Sequence, residues 1–151
     1  MASTTDLLAP ITEPEVLELQ DHFYALVGSG GEIAEQEKLF HPHYIWSPLP
    51  GSGLTLTPTE NQKLHENLTN DTHTLQPLAH LIELPPVDGR ARAYCQGDFK
   101  WHATKPDGSN IDCIVHLATI VERRPDGDGL WFVMYWGNGF EYLPGSAELD
   151  L

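Results

Sequence analysis

The chain has 151 residues and a formal net charge of −14, with 8 Lys and Arg against 22 Asp and Glu. So acidic a surface argues against binding to nucleic acid or to an anionic membrane, because both require basic patches. The sequence is 40% hydrophobic. We expect a single domain over 1–151, with a core at about 14–142 and flexible termini.

Features of targeting or metal binding are not apparent in the sequence. No apolar run approaches the roughly 20 residues of a membrane helix, and the N-terminus lacks the basic and apolar regions of a secretory signal. Cys95 and Cys113, the two cysteines, do not have metal-binding spacing. We therefore expect a cytoplasmic protein with no metal site and no other cofactor.

Three helices are predicted first, each introduced by a hydroxyl residue that precedes a glutamate by three positions. This capping-box pattern begins at Thr12, Ser29 and Thr57. The helices and one short strand are predicted over about 14–27, 32–40, 44–47 (the strand) and 58–67. Apolar residues recur at helical spacing in the first helix, so one of its faces is expected to be buried.

Four long strands follow, separated by short segments rich in Pro, Asp and Gly. Such connections are typical of antiparallel neighbours. The predicted strands cover about 74–84, 90–104, 111–122 and 130–142. Helices followed by a meander of long strands indicate an α+β fold. We expect a curved antiparallel sheet whose N-terminal helices enclose a conical cavity, a cone-shaped α+β barrel.

Two pairs of acid and histidine are predicted on the central hairpin. A turn centred near Asp107 pairs Asp98 with His116 and His102 with Asp112, and strand alternation puts all four side chains on one face. A carboxylate beside an imidazole orients the ring and raises its basicity, which suits proton transfer. We expect these four to be catalytic, with His116 as the acid or base. The alternative is that both pairs only stabilise a solvated sheet face.

The order of elements resembles the nuclear transport factor 2-like superfamily, which includes SnoaL-like cyclases, ketosteroid isomerase and scytalone dehydratase. The likeness covers nearly the whole chain and includes the closing-strand stretch Val133–Gly137. By this resemblance, Tyr24 (or Phe23, one position off) stands where the isomerases keep an oxyanion donor. The paired histidines and Asn138 are similar in placement to the strand histidines and asparagine of scytalone dehydratase.

Aromatic and polar side chains near the expected cavity are candidates for substrate binding. These are Trp46, Tyr94, Trp136, Asn138 and His65. Since Tyr135 and Trp136 are adjacent on one strand, one of them should face the cavity in either register.

Together these features and the resemblance indicate a cofactor-free enzyme. It would isomerise, dehydrate or cyclise an apolar polyketide- or terpenoid-like intermediate by acid–base catalysis, and a homodimer is the expected assembly. The alternative is a non-catalytic ligand-binding or dimeric assembly module of the same fold. In that case the cavity would be filled by its own aromatic side chains, whereas an open cone of about 300 Å³ or more would favour a ligand site.

Overall fold

The structure is a computed structural model that describes residues 6–28, 32–47 and 55–149. Within these ranges the chain forms three helices, α1 (Glu13–Gly28), α2 (Ile33–Glu37) and α3 (Pro58–His65). Six strands form one sheet: β1 (Phe40–Ser47), β2 (Thr69–Leu75), β3 (His80–Val87), β4 (Arg90–Thr104), β5 (Asn110–Arg123) and β6 (Leu130–Tyr142).

The sheet has the order β1-β6-β5-β4, and β2 and β3 share the far edge of β4. Neighbouring strands are antiparallel, except that β1 runs parallel to β6. The predicted α+β architecture with a curved sheet is therefore confirmed. The parallel pair is an addition that the sequence pattern did not indicate.

Capping boxes explain where two of the helices begin. The amide and hydroxyl of Thr12 both donate hydrogen bonds to the Glu15 carboxylate, at 3.2 and 3.0 Å. Thr57 Oγ1 accepts a hydrogen bond from the Glu60 amide at 3.2 Å. The box predicted at Ser29 lies outside the described residues. In the part of the chain that the structure describes, no helix is long and apolar enough to cross a membrane.

Two predicted elements are shorter or divided in the structure. Helix α2 ends at Glu37, because the Leu39 carbonyl already accepts a hydrogen bond from the Phe132 amide of β6 at 2.8 Å. The strand predicted over 74–84 is instead two strands, since Pro77 has no N–H with which to continue the ladder. As a result, β2 pairs with the second half of β4 and β3 with its first half.

The two faces of the sheet differ in polarity. The inner face carries Phe99, Trp101 and Val115 and belongs to the buried core that α1 completes. The outer face carries the side chains that alternate with these, among them Asp98 and His116. Burying apolar surface stabilises the fold by roughly 25 cal/mol per Å², whereas burying an unpaired charge is costly. The helices therefore cover the inner face.

A β-bulge in β6 changes which of its side chains face inward. Consecutive residues of β5 pair with Gly137 and Gly139, which leaves Asn138 as an extra residue. Tyr135 before the bulge and Phe140 after it both reach the inner face, although one position is odd and the other even. The alternation along β6 therefore reverses at Asn138.

The residues after β6 fold back against β5. The Ala147 amide donates a hydrogen bond to the Asn110 carbonyl at 2.8 Å, and the Asp112 amide donates one to the Ser146 hydroxyl at 2.8 Å. The flexible C-terminal end expected from the sequence is thus packed as far as Leu149, which reaches the inner side of the sheet.

Candidate active site

A cavity of about 80 Å³ lies between the inner face of the sheet, α1 and α3. Most of its wall is apolar or aromatic, with a small number of polar groups. The lining side chains that bear on chemistry are Tyr24, Trp46, His65, His73, Trp101 and Tyr135. Each of the six comes from a different helix or strand, so the complete tertiary fold is needed to assemble the site.

The carboxylate of Asp71 joins three of the side chains that line the cavity. Its Oδ2 is hydrogen-bonded to Nδ1 of His65. Its Oδ1 accepts a hydrogen bond from Trp101 Nε1 at 2.7 Å, and His73 Nδ1 lies 3.9 Å from the same oxygen. The side chains of His65, Asp71 and His73 are 12%, 5% and 6% exposed, so the cluster is almost out of contact with bulk water.

Simple sequence relationships bring this cluster together. His65 is the last residue of α3, and Asp71 follows in β2 after a short connection. Asp71 and His73 are two residues apart on the same strand, so their side chains lie on one face. His73 is in turn the cross-strand partner of Trp101 in β4.

Burial and hydrogen bonding set the charge states in the cluster. Burial raises the pKa of Asp71, but hydrogen bonds from His65 and Trp101 outweigh it, so the pKa lies below its ordinary value. Burial lowers the pKa of His73 to about 4, against the attraction of Asp71. Near neutral pH, Asp71 is therefore ionised and His73 is neutral. An ionised carboxylate can only accept hydrogen bonds, so Nδ1 of His65 is the donor in this contact. In a neutral imidazole of this tautomer the lone pair is on Nε2.

A pair of buried tyrosines lies beside this cluster. The hydroxyl groups of Tyr24 and Tyr135 are 2.6 Å apart. Tyr24 also stacks on His73, with ring centroids 4.3 Å apart and planes inclined by 5°. Burial raises the pKa of both hydroxyls, so both are protonated at neutral pH. Their mutual hydrogen bond uses one of two O–H protons, and the other can be donated to an oxygen atom of a bound molecule.

The two predicted acid–histidine pairs form in the predicted register. Asp98 is opposite His116 and His102 is opposite Asp112, with 2.9 and 2.7 Å between the carboxylate oxygen and Nδ1. They lie on the outer face, where the His116 and Asp98 side chains are 42% and 48% exposed. The expectation that these four side chains act in the cavity is therefore wrong. The helices cover the apolar side of these strands and leave the polar side toward water.

His116 has a carboxylate at each ring nitrogen. The hydrogen bond with Asp98 raises its pKa above the ordinary value, and Glu141 contributes in the same direction. Glu141 Oε2 lies 3.4 Å from Nε2, on the side of the ring opposite Asp98. Both nitrogens are thus engaged by neighbouring strands, which fits the alternative that these pairs stabilise the sheet face.

Three of the other candidate residues do line the cavity. Tyr24 projects from α1, Trp46 from β1 and His65 from the end of α3. The expectation that Tyr135 or Trp136 would face the cavity is also met, and the inward residue is Tyr135.

The remaining three candidates lie away from the cavity. Tyr94 is on the outer face of β4, where its cross-strand partner is Ile120. Trp136 is 38% exposed, and Asn138 is the exposed extra residue of the bulge. Their expected role in binding a molecule in the cavity is therefore wrong, since strand alternation and the bulge turn all three outward.

The sequence pattern did not point to Asp71, His73 or Trp101 as site residues. The available signal was the Asp71-Thr72-His73 spacing, which places an acid and a histidine on the same side of a strand. Asp71 and His73 fall between the helix predicted to end at about 67 and the strand predicted from 74. Across the described ranges, no group of three or more His, Cys, Asp or Glu side chains is arranged to hold a metal ion.

Comparisons with known proteins give matches in structure and none in sequence. No protein-family profile matches the chain, and no relative is found among curated proteins. A conserved protein from Planctomyces limnophilus has a TM-score of 0.69 at 12% identity, over 87% of this chain and 97% of that one.

Two further solved structures have names that indicate enzymes. A candidate aromatic ring hydroxylase from Novosphingobium aromaticivorans has a TM-score of 0.66 at 14% identity, over 87% of this chain and 92% of that one. A hexachlorocyclohexane dehydrochlorinase from Novosphingobium barchaimii has a TM-score of 0.61 at 16% identity, over 91% and 94% of the two chains. At such low identity, what these likenesses show is a shared fold.

Proposed function

Since the chain has the nuclear transport factor 2-like fold, we propose that it is a small-molecule enzyme that transfers protons within its cavity. The observation that carries the proposal is the His65–Asp71 pair, which is nearly excluded from water and lies in an aromatic cavity. A hexachlorocyclohexane dehydrochlorinase with a similar fold supports the choice of an enzyme. A buried imidazole oriented by a carboxylate is a typical general base.

In the proposed reaction, Nε2 of His65 removes a proton from a carbon atom next to a carbonyl or a leaving group. Asp71 holds the ring in one tautomer and stabilises the imidazolium that forms. The free O–H of the Tyr24–Tyr135 pair donates to the oxygen on which charge develops. The proton then returns to another carbon in an isomerisation or a cyclisation, or to a departing hydroxyl group in a dehydration. No cofactor takes part in these steps.

The size of the cavity narrows the proposed substrate. Pockets for drug-sized ligands span roughly 300–1,000 Å³, and this cavity measures about 80 Å³. We therefore propose a compact apolar molecule, such as a one-ring intermediate of terpenoid or polyketide type, over a multi-ring one.

Exchange of α-protons in cyclopentanone tests the proposed base with a probe of suitable size. Removal of the proton by His65 and its return from D2O replaces hydrogen with deuterium, which proton NMR follows directly. We expect the protein to accelerate exchange above the buffer rate, and His65→Gln to reduce this acceleration by about a hundredfold.

The matched control is His116→Gln, which changes the histidine of the outer pair and should leave the exchange rate unchanged. Circular dichroism of both variants checks that they fold. An exchange rate equal to that of buffer, or a loss in His116→Gln but not in His65→Gln, would contradict the proposal.

A homodimer is proposed as the assembly, on the evidence of an apolar row across the outer face. Directly opposed residues on five adjacent strands form this outer row: Ile45, Met134, Ile120, Tyr94 and Ile82. Ile45 and Ile82 are 55% and 52% exposed. Such a continuous apolar strip is typical of an interaction surface.

The same row and the small cavity are what favour the second candidate, a non-catalytic assembly module. That candidate predicts a dimer without any catalysed exchange of cyclopentanone protons, so the exchange experiment separates the two.

A further inference from the structure

Trp46 differs from Trp101 and Trp131 in its hydrogen bonding. Trp101 Nε1 donates to Asp71 at 2.7 Å, and Trp131 Nε1 donates to Glu122 at 3.0 Å. Trp46 is only 2% exposed, yet its Nε1 is buried and has no acceptor among the described residues. The indole N–H of Trp46 is therefore a buried donor, and the described part of the chain offers it no acceptor.

A buried donor without a partner is unfavourable, by about 1–3 kcal/mol relative to a satisfied one, and native structures rarely keep one without a reason. Trp46 lines the cavity, so a molecule in the cavity can supply the missing acceptor. We propose that the indole N–H of Trp46 is a specificity-determining donor that binds an acceptor oxygen of the ligand.

The surroundings indicate which kind of acceptor fits. The protein carries a net charge of −14, and the Asp71 carboxylate lies beside the cavity-lining histidines. Both disfavour an anionic ligand, because like charges repel strongly where water is scarce. A neutral carbonyl, ether or hydroxyl oxygen on an apolar ring therefore matches the site.

The ring of Trp46 lies beside the tyrosine pair and has different aromatic neighbours from His65. Its ring packs against Phe23 and Tyr135, with centroids 5.6 and 5.4 Å apart. His65 instead packs against Trp101 and His73, at 5.5 and 6.1 Å. That the ligand is also a substrate rests on the proposed function. In that case Trp46 and the Tyr24–Tyr135 pair would donate to the two lone pairs of one carbonyl oxygen. His65 would act on a C–H bond next to that carbonyl.

The experiment compares two probes of nearly equal shape, cyclopentanone and methylenecyclopentane, of which only the ketone has an acceptor oxygen. Indole N–H signals are recorded in ¹H–¹⁵N spectra of the full-length ¹⁵N-labelled protein and assigned by triple-resonance NMR. We expect cyclopentanone to move the Trp46 indole proton downfield and methylenecyclopentane to leave it in place. Trp46→Phe should weaken ketone binding by about five- to tenfold and leave binding of the alkene unchanged.

Trp136→Phe is the matched control, since this exposed indole lies outside the cavity, and it should bind both probes as the unmodified protein does. Equal indole shifts with the two probes, or no shift with either, would overturn the proposal even if Trp46→Phe did not fold. Failure of the proposed base is distinguishable. If the Trp46 signal shifts with the ketone but no proton exchange is catalysed, the result supports Trp46 as a donor to the ligand and contradicts the proposed enzyme function.

Discussion

The indole N–H of Trp101 donates a hydrogen bond to Oδ1 of Asp71 at 2.7 Å, while Oδ2 of the same carboxylate is bonded to His65. Donors on both oxygens fix the plane of the carboxylate, and the carboxylate in turn fixes the imidazole. The arrangement depends on an acceptor at each of two positions, which a carboxylate supplies and a carboxamide does not.

Asp71→Asn therefore replaces one acceptor with an NH2 group that cannot accept from either Trp101 or His65. We expect His65 to lose its fixed tautomer and the catalysed exchange of cyclopentanone to fall by a factor of about ten or more. Asp98→Asn makes the same change on the outer face and should keep the full rate. Equal rates in the two variants would argue against an orienting role for Asp71.

The hydroxyl pair of Tyr24 and Tyr135 should show energetic coupling. Each single change to Phe leaves the other buried hydroxyl without its partner, and we expect each to cost about 1–3 kcal/mol of unfolding free energy. The double variant removes both groups, so its cost should be clearly less than the two single costs added together. Urea denaturation of all four proteins measures the coupling, and strict additivity would mean that the two hydroxyls do not interact.

Much of the fold follows from local sequence signals. The strands predicted over 90–104 and 130–142 have those bounds in the structure, because segments that contain Pro and Gly flank them. The same turn chemistry sets the register, so Asp98 was correctly paired with His116. Strand bounds and hairpin register depend on residues that are close in the sequence, so they can be predicted from local sequence patterns.

The site itself depends on which face of the sheet the helices cover. The cross-strand pairs that follow from the position of a turn do not indicate that face. A row of acids and histidines on one face of a hairpin is typical of a catalytic site. Covering that face would remove charged groups from water, so the helices pack on the apolar face instead. His65 and Asp71 meet through a tertiary contact between the end of α3 and β2. The strand was predicted to begin at position 74, so most of the short strand β2, which carries Asp71 and ends before Pro77, was not recognised.

The buried imidazole of His73 should make the protein sensitive to mild acid. Its pKa in the folded state is about 4, because burial disfavours the charged ring, while in the unfolded chain it is about 6.5. Between these values the unfolded state binds a proton that the folded state does not. Stability should therefore fall as the pH drops from about 6.5 to 4, by an amount on the order of 3 kcal/mol.

Urea denaturation at several pH values checks this expectation for His73. His73→Gln should flatten the pH dependence in that window, while His80→Gln, at an exposed histidine of β3, should retain it. Asp71 acts in a lower range, since its depressed pKa gives stability that is present above about 3.8 and lost as the pH falls further. An unchanged slope in His73→Gln would show that another group is responsible.

The outer row predicts how the assembly responds to a single charge. Ile120 lies at the centre of the row, between Tyr94 and Met134, so Ile120→Lys should convert a dimer into a monomer in sedimentation velocity. Val87→Lys adds the same charge at a hydrophobic residue of β3 that is 38% exposed but lies outside the row, and it should remain dimeric. A monomeric unmodified protein would contradict the proposed assembly.

The extra residue at Asn138 has a consequence for how insertions and deletions act on this protein. Removing that single residue would restore alternation between Tyr135 and Tyr142. It would turn Phe140 and Tyr142 to the surface and Glu141 to the inner face. The composition of the strand would barely change, yet one wall of the cavity would become acidic. A single exposed residue outside the cavity thus determines whether the side chains of the last third of β6 face the interior or the solvent.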